Sequence, residues 1–256
     1  MGGTIVADLP APPSAGAVLS LIFAKGQRPD KLGVAALAAR AGAGFTVSHY
    51  GARDQGWLEL LVRGMVIDCH GLAPETPLSP PPRGALLGLD KAPDGVAITL
   101  QPGPHLAEAA ALLPVVRAVV MLGLELAALP GLLALSWNPA ECWMAPDWFR
   151  KVAGDWLGGG PFPALGLTSL QRGADGAMTS RGLAFFTGQE LLIPAAPGLA
   201  PADQARIAVR LINELVDHER LTGPTTLTGP GGERVVLTPL AGQGVLRVDI
   251  GGEAAG

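Results

Sequence analysis

Residues 72–83 read LAPETPLSPPPR, with prolines at 74, 77, 80, 81 and 82. Proline fixes φ and lacks the N–H that a central strand or a helix interior must donate, so no regular element runs through this stretch. The fold has to be assembled from what lies on either side of it. The sequence is therefore read as an N-terminal half, residues 1–83, ending in a proline-rich linker at 72–83, and a C-terminal half, residues 84–256, with the two packed as one compact unit. Apolar material is sufficient for a large core: 48% of the 256 residues are hydrophobic and 16% are charged. That balance excludes a disordered chain, although 36 glycines and 24 prolines interrupt regular structure often.

Periodicity divides the remainder. Residues 17–24 (AVLSLIFA) form a short continuous apolar run, as expected of a central strand. Asp30 is placed to cap a helix whose apolar positions are Leu32, Val34, Ala35, Leu37 and Ala38. Residues 45–50 and 57–69 read as two strands across the loop 51–56. Beyond the prolines, 96–101 is a strand, 105–129 a long helix that kinks at Pro114 or starts in earnest just before it, and 132–137 a buried strand. Pro146 suits the first turn of a helix that closes at Gly158-Gly159-Gly160. Residues 165–172 and 177–186 read as a hairpin across Gly173-Ala174-Asp175-Gly176. Residues 201–219 form an amphipathic helix with Ile207, Ala208, Leu211, Ile212, Leu215 and Val216 on one stripe. A hairpin of 234–239 and 244–250 closes the chain.

The expected class is α+β, a two-layer α/β sandwich. From Leu132 the order β-α-β-β-α-β is that of a ferredoxin-like split βαβ unit. The β-α-β-β start of the N-terminal half raises a duplicated architecture, although no residue-level repeat supports it.

Charge and motifs exclude several functions. Eighteen basic against 22 acidic residues give a net charge of −4, and the arginines are dispersed, so no field for nucleic acid is expected. Cys69 and Cys142 form no CxxC pair, which favours a reduced cytoplasmic setting. Residues 1–16 carry no Lys or Arg ahead of the first apolar run, and position 6 is Val where N-myristoylation takes Ser or Thr, so neither a signal peptide nor a lipid anchor is expected. The apolar stretch 106–137 contains Glu108, Arg117 and Glu125, and no uncharged run in it reaches membrane-spanning length. His49, His70, His105 and His218 make no HxxxH or HExxH, and no GxSxG, Walker or Rossmann fingerprint occurs. No catalytic residue, metal ligand or cofactor is assigned, and the histidines are read as surface or helix-capping groups.

Two features stand out. Trp137, Trp143, Trp148 and Trp156, four of the five tryptophans, fall within twenty residues. Trp148 and Trp156 share one helix face and read as core, whereas Trp137 and Trp143 bracket a strand-exit loop and are candidates for a ligand wall or partner surface, with core packing the favoured reading of the cluster. Arg181 lies in a strand pattern and Glu190 begins the next apolar run; the two either pair structurally, the favoured reading, or leave Arg181 as an anion anchor in a cleft.

The segments Leu135-Ser136-Trp137, Trp143, Pro146-Asp147-Trp148-Phe149, Thr179-Ser180-Arg181-Gly182-Leu183 and Glu190-Leu191 together resemble the uncharacterised bacterial domain-of-unknown-function family four-two-six-one over roughly residues 90–250. Leu192 departs from the second acid expected after Glu190-Leu191. The resemblance implies an α+β fold and a bacterial cytoplasmic home, with relatives beside protein-secretion and toxin–immunity systems, and no established reaction. The function expected is thus that of a non-catalytic accessory factor whose partner is another protein, with a homodimer left open. The alternative is an enzyme or small-ligand binder with a cleft formed by Trp137, Trp143, Arg181 and Glu190.

Overall fold

A computed structural model describes residues 16–195, 198–229 and 231–253. The N-terminal expectations above fall on residues 1–15 and lie outside the described residues. The chain is an α+β fold built on two mixed sheets. The first sheet contains β1 (Leu19–Phe23), β2 (Thr46–Tyr50), β3 (Leu58–Val62), β4 (Met65–His70), β5 (Ala85–Leu87), β6 (Val96–Pro102), β7 (Leu132–Trp137) and β8 (Cys142–Met144), in the spatial order β2-β3-β4-β6-β1-β7-β8-β5. Its helices are α1 (Lys31–Ala38), α2 (Leu113–Leu126) and α3 (Pro146–Leu157). After a single turn, α4 (Ala164–Leu167), the second sheet contains β9 (Ser169–Arg172), β10 (Met178–Arg181), β11 (Glu190–Ile193), β12 (Thr225–Thr228), β13 (Glu233–Leu240) and β14 (Val245–Glu253), in the order β12-β13-β14-β11-β10-β9. Two helices accompany it, α5 (Leu183–Thr187) and α6 (Pro201–Leu215).

β1 is fully buried along its length and pairs antiparallel with β6 and β7, as its unbroken apolar run requires. Asp30 caps α1 by accepting from the Gly33 N–H at 2.7 Å. Pro114 stands in the first turn of α2, so the helix begins there, after a separate 3₁₀ turn at Pro104–Ala109. Val115, Val116, Val119, Val120 and Leu122 bury the stripe of α2 inside this chain, against the inner face of the first sheet. The approach is close: a Cβ on Gly123 would lie 2.5 Å from the Leu19 side chain.

Three expectations change. The run 57–69 is two strands, because Arg63 (φ 50) and Gly64 (φ 76) make the two-residue left-handed reversal of a tight hairpin. Residues 177–186 are not one strand: Gly182, at φ +88, ends β10 and starts α5. The ferredoxin-like unit does not form, because its first strand, β7, is committed to β1 and β8 in the first sheet. In the second sheet β11 instead runs parallel to β14.

Residue 83 is also no boundary between sheets. β6, β7 and β8 lie between β4 and β5, and the chain changes sheet between Met144 and Ser169. The segment 72–83 is a strap. It leaves β4, gives the Leu78 carbonyl to the Ala97 N–H at 3.0 Å and the Pro82 carbonyl to the Trp143 indole at 3.1 Å, and delivers β5 to the far edge beside β8. The return towards β6 places Leu89 and Ala92 on Ile22, Ala134 and Trp143. These two crossings seal the outer face of β1, β7 and β8. A proline-rich segment suits that work, since it needs few ladder partners of its own.

A row of aromatic rings joins the sheets. Trp137 of β7 meets Phe185 and Phe186 of α5 at centroid distances of 5.7 and 6.4 Å. Phe186 meets Phe162 at 5.2 Å, and Phe162 meets Trp156 at 5.7 Å. One core spans both sheets, beside the smaller cluster of Ile22, Ala134 and Trp143.

Candidate functional site

Of the four residues singled out in the sequence, Glu190 and Arg181 are close in the chain but do not pair. The Glu190 side chain, 9% exposed, turns into the break between β10 and α5. Its Oε1 accepts from the N–H groups of Gly182 at 2.8 Å and Ala184 at 3.0 Å. Its Oε2 accepts from the Ser180 hydroxyl at 2.5 Å and the Leu183 N–H at 3.2 Å. The Ser180 oxygen in turn accepts from the Leu191 N–H at 2.7 Å. Burial pushes the Glu190 carboxyl above its ordinary range, and the four donors pull against that shift. Arg181 instead forms an ion pair with Glu141, a left-handed residue (φ 48) between β7 and β8. The physical reason is local: the turn at Gly182 offers Glu190 the unpaired first amides of α5, which satisfy a carboxylate without a cation.

Trp137 and Trp143 are both fully buried and lie on opposite faces of the first sheet. Trp137 pairs with Cys142 on the inner face, and Ser136 with Trp143 on the outer face. Trp137 belongs to the aromatic row, whereas Trp143 lies beneath the strap with the Arg83 guanidinium 5.3 Å from its ring centre. The four residues therefore enclose no common cleft. A cavity of about 510 Å³ beside Arg28 and another of about 240 Å³ beside Asp203 are lined by none of them.

A different set of polar side chains does converge. With β3 and β4 resolved as a hairpin, alternation sends Leu58, Leu60, Ile67 and Cys69 inward, and Trp57, Glu59, Asp68 and His70 outward. Register places Glu59 opposite Asp68, Asp68 opposite Gln101, and His49 of β2 opposite Glu59. His49, Trp57 and His70 form a ladder of rings with centroid separations of 5.5 and 6.3 Å. Asp68 is only 7% exposed. Burial pushes its carboxyl above the ordinary range; His70, the Trp57 indole and His105 draw it back, and the Glu59 charge adds to the rise. No ion pair to Asp68 forms among the described residues. The start of the strap borders this region, where the Leu72 N–H donates to the Gly56 carbonyl and the Gly56 N–H to Glu75, both at 2.9 Å, and β2 is the sheet's edge, exposed at Thr46, Ser48, His49 and Tyr50. Sequence reading missed the site because it took 57–69 as a single strand. The signal was the phase reversal across Arg63-Gly64.

The thiols stand apart from this chemistry. Cys69 and Cys142 point into the core, and burial pushes both up to about 12. His218 meets the Glu214 carbonyl at 2.6 Å, in keeping with its reading as a helix-end group. Among the described residues no three His, Cys, Asp or Glu side chains gather closely enough to hold a metal ion, and no helix is long and apolar enough to cross a membrane. Comparison with family models, curated proteins and solved structures finds nothing that matches this chain.

Proposed function

We propose that the protein is a binding factor for another protein, and that it docks through the outer face of β2, β3 and β4. The observation that carries this reading is the contrast within one sheet. The chain's own crossings cover the β1–β7–β8 half, while the β2–β4 half presents a ring ladder, a sunken carboxylate and an exposed edge strand. Aromatic groups that are part apolar and part polar are the usual anchors of protein interfaces. An edge strand with free backbone groups adds a means of fixing register. The resemblance read from the sequence belongs to this proposal as well: a bacterial cytoplasmic accessory protein working beside secretion or toxin–immunity systems is of this binding kind.

The experiment is photo-crosslinking in the native host from two positions. Leu61 is 37% exposed on the proposed face, and Leu112 is 60% exposed at the start of α2. A discrete adduct from position 61 that is absent from position 112, and is lost on Thr46→Asp, is expected. Equal adducts from both positions, or none from position 61, would refute the assignment.

A further inference from the structure

The binding face contains an electrostatic imbalance that specifies what it binds. Asp68 is 7% exposed as a whole residue, its register partners place its side chain on the open face, and its carboxyl oxygens are not among the chain's fully buried unpartnered atoms. A buried carboxylate is normally paired with a cation or held by several N–H donors, as Glu190 is in this same chain. Asp68 has neither. The neutral Trp57 indole lies beside it, and no ion pair with it forms among the described residues. Directly across the ladder stands a second acid, Glu59, whose hydroxyl contact from Ser48 at 2.7 Å is also uncharged. Two carboxylates side by side repel, and a cation lodged between them would relieve the repulsion. The Trp57 ring stands beside this pair of acids, itself flanked by His49 and His70.

Resting on the docking reading above, we infer that the open face over Asp68 and Glu59 receives an arginine side chain from a basic segment of the partner protein. A guanidinium offers planar, forked N–H donors to a carboxylate pair and stacks on an indole face, and it gives up its hydration more readily than an ammonium does. The site is an open sheet face without enclosing walls, which suits a group delivered by a macromolecule better than a free small cation. The chain's net charge of −4 favours approach of a basic partner.

The probe is a capped pentapeptide, acetyl-Gly-Arg-Gly-Arg-Gly-amide, with its citrulline counterpart as the neutral control. It is titrated into the ¹⁵N-labelled full chain while the Trp57 indole N–H is followed; that signal is assigned by its loss in Trp57→Phe. A saturable shift with the arginine peptide alone is expected. Asp68→Asn should weaken binding at least tenfold, whereas Asp249→Asn, a change at an exposed acid on the second sheet, should leave it intact. Dispersion of the amide spectrum confirms folding of each variant. No movement of the Trp57 signal in the wild type, an equal shift with citrulline, or unchanged affinity in Asp68→Asn overturns the inference. Crosslinking from position 61 separates the two levels: an adduct that survives Asp68→Asn leaves docking standing and removes the arginine, and no adduct from position 61 removes both.

Discussion

Replacing Glu190 by Gln tests what holds the break between β10 and α5, the helix whose Phe185 and Phe186 reach Trp137 of the first sheet. The carboxylate holds four donors at 2.5–3.2 Å, two on each oxygen. A glutamine can keep its carbonyl oxygen towards Gly182 and Ala184, but its NH₂ then faces the Leu183 N–H, donor against donor. The Ser180 hydroxyl can rotate to accept. The loss is thus one buried backbone N–H without an acceptor, about 1–3 kcal/mol. For a chain of this size about 2 kcal/mol lowers the Tm by roughly 4–8 °C. Glu190→Ala strips three amides and a hydroxyl and should cost about 4 kcal/mol or more. The assay is denaturant unfolding at neutral pH, with hydrogen exchange at Gly182, Leu183 and Ala184 as the local readout. A glutamine variant within about 0.5 kcal/mol of wild type, with those amides still protected, would refute the reasoning. It would mean that burial has already protonated the carboxyl, which then donates where the glutamine would.

Three further outcomes follow from the same geometry. Gly56→Ala would place a Cβ 1.9 Å from the Leu72 carbonyl oxygen, at the point where the strap leaves β4, so unfolding free energy should fall by about 3 kcal/mol or more; an urea midpoint matching wild type would contradict this. Neither thiol should react with a thiol reagent in the folded protein at mildly alkaline pH, since both are buried and raised to about 12; mass spectrometry should show two labels only after denaturant is added. Asp68 has a folded-state pKa above its unfolded value, so its contribution to stability declines as pH rises from about 4 through the raised value. The Tm advantage of Asp68→Asn over wild type should therefore grow across that interval, and a constant difference would show that Asp68 is already paired.

Local chemistry made much of the fold legible. The strand at β1, the Asp30 cap, the proline start of α3 and the stripe of α6 each depend on residues within one or two turns of one another, so periodicity and capping rules suffice to find them. Trp148 and Trp156 likewise announced a helix face, and Trp156 is buried as that spacing required. The hairpin turn at Arg63-Gly64 was a local signal too, masked by the uninterrupted apolar character around it.

What the sequence alone determined, then, is most of the longer elements and the α+β class, because hydrophobic period and turn residues act over a few positions. Tertiary structure decided which sheet each strand joins, what covers each face and which polar groups meet. Glu141 lies 40 residues from Arg181, and Ala97 lies 19 from Leu78, yet each pair is in contact. Such meetings are fixed by packing two sheets on one core, where the cost of a misplaced buried charge is felt only once distant strands have closed around it. For that reason Trp143 is roofed by prolines 61 residues upstream, and Asp68, beside it in neither motif nor sequence, is the carboxylate left facing outward.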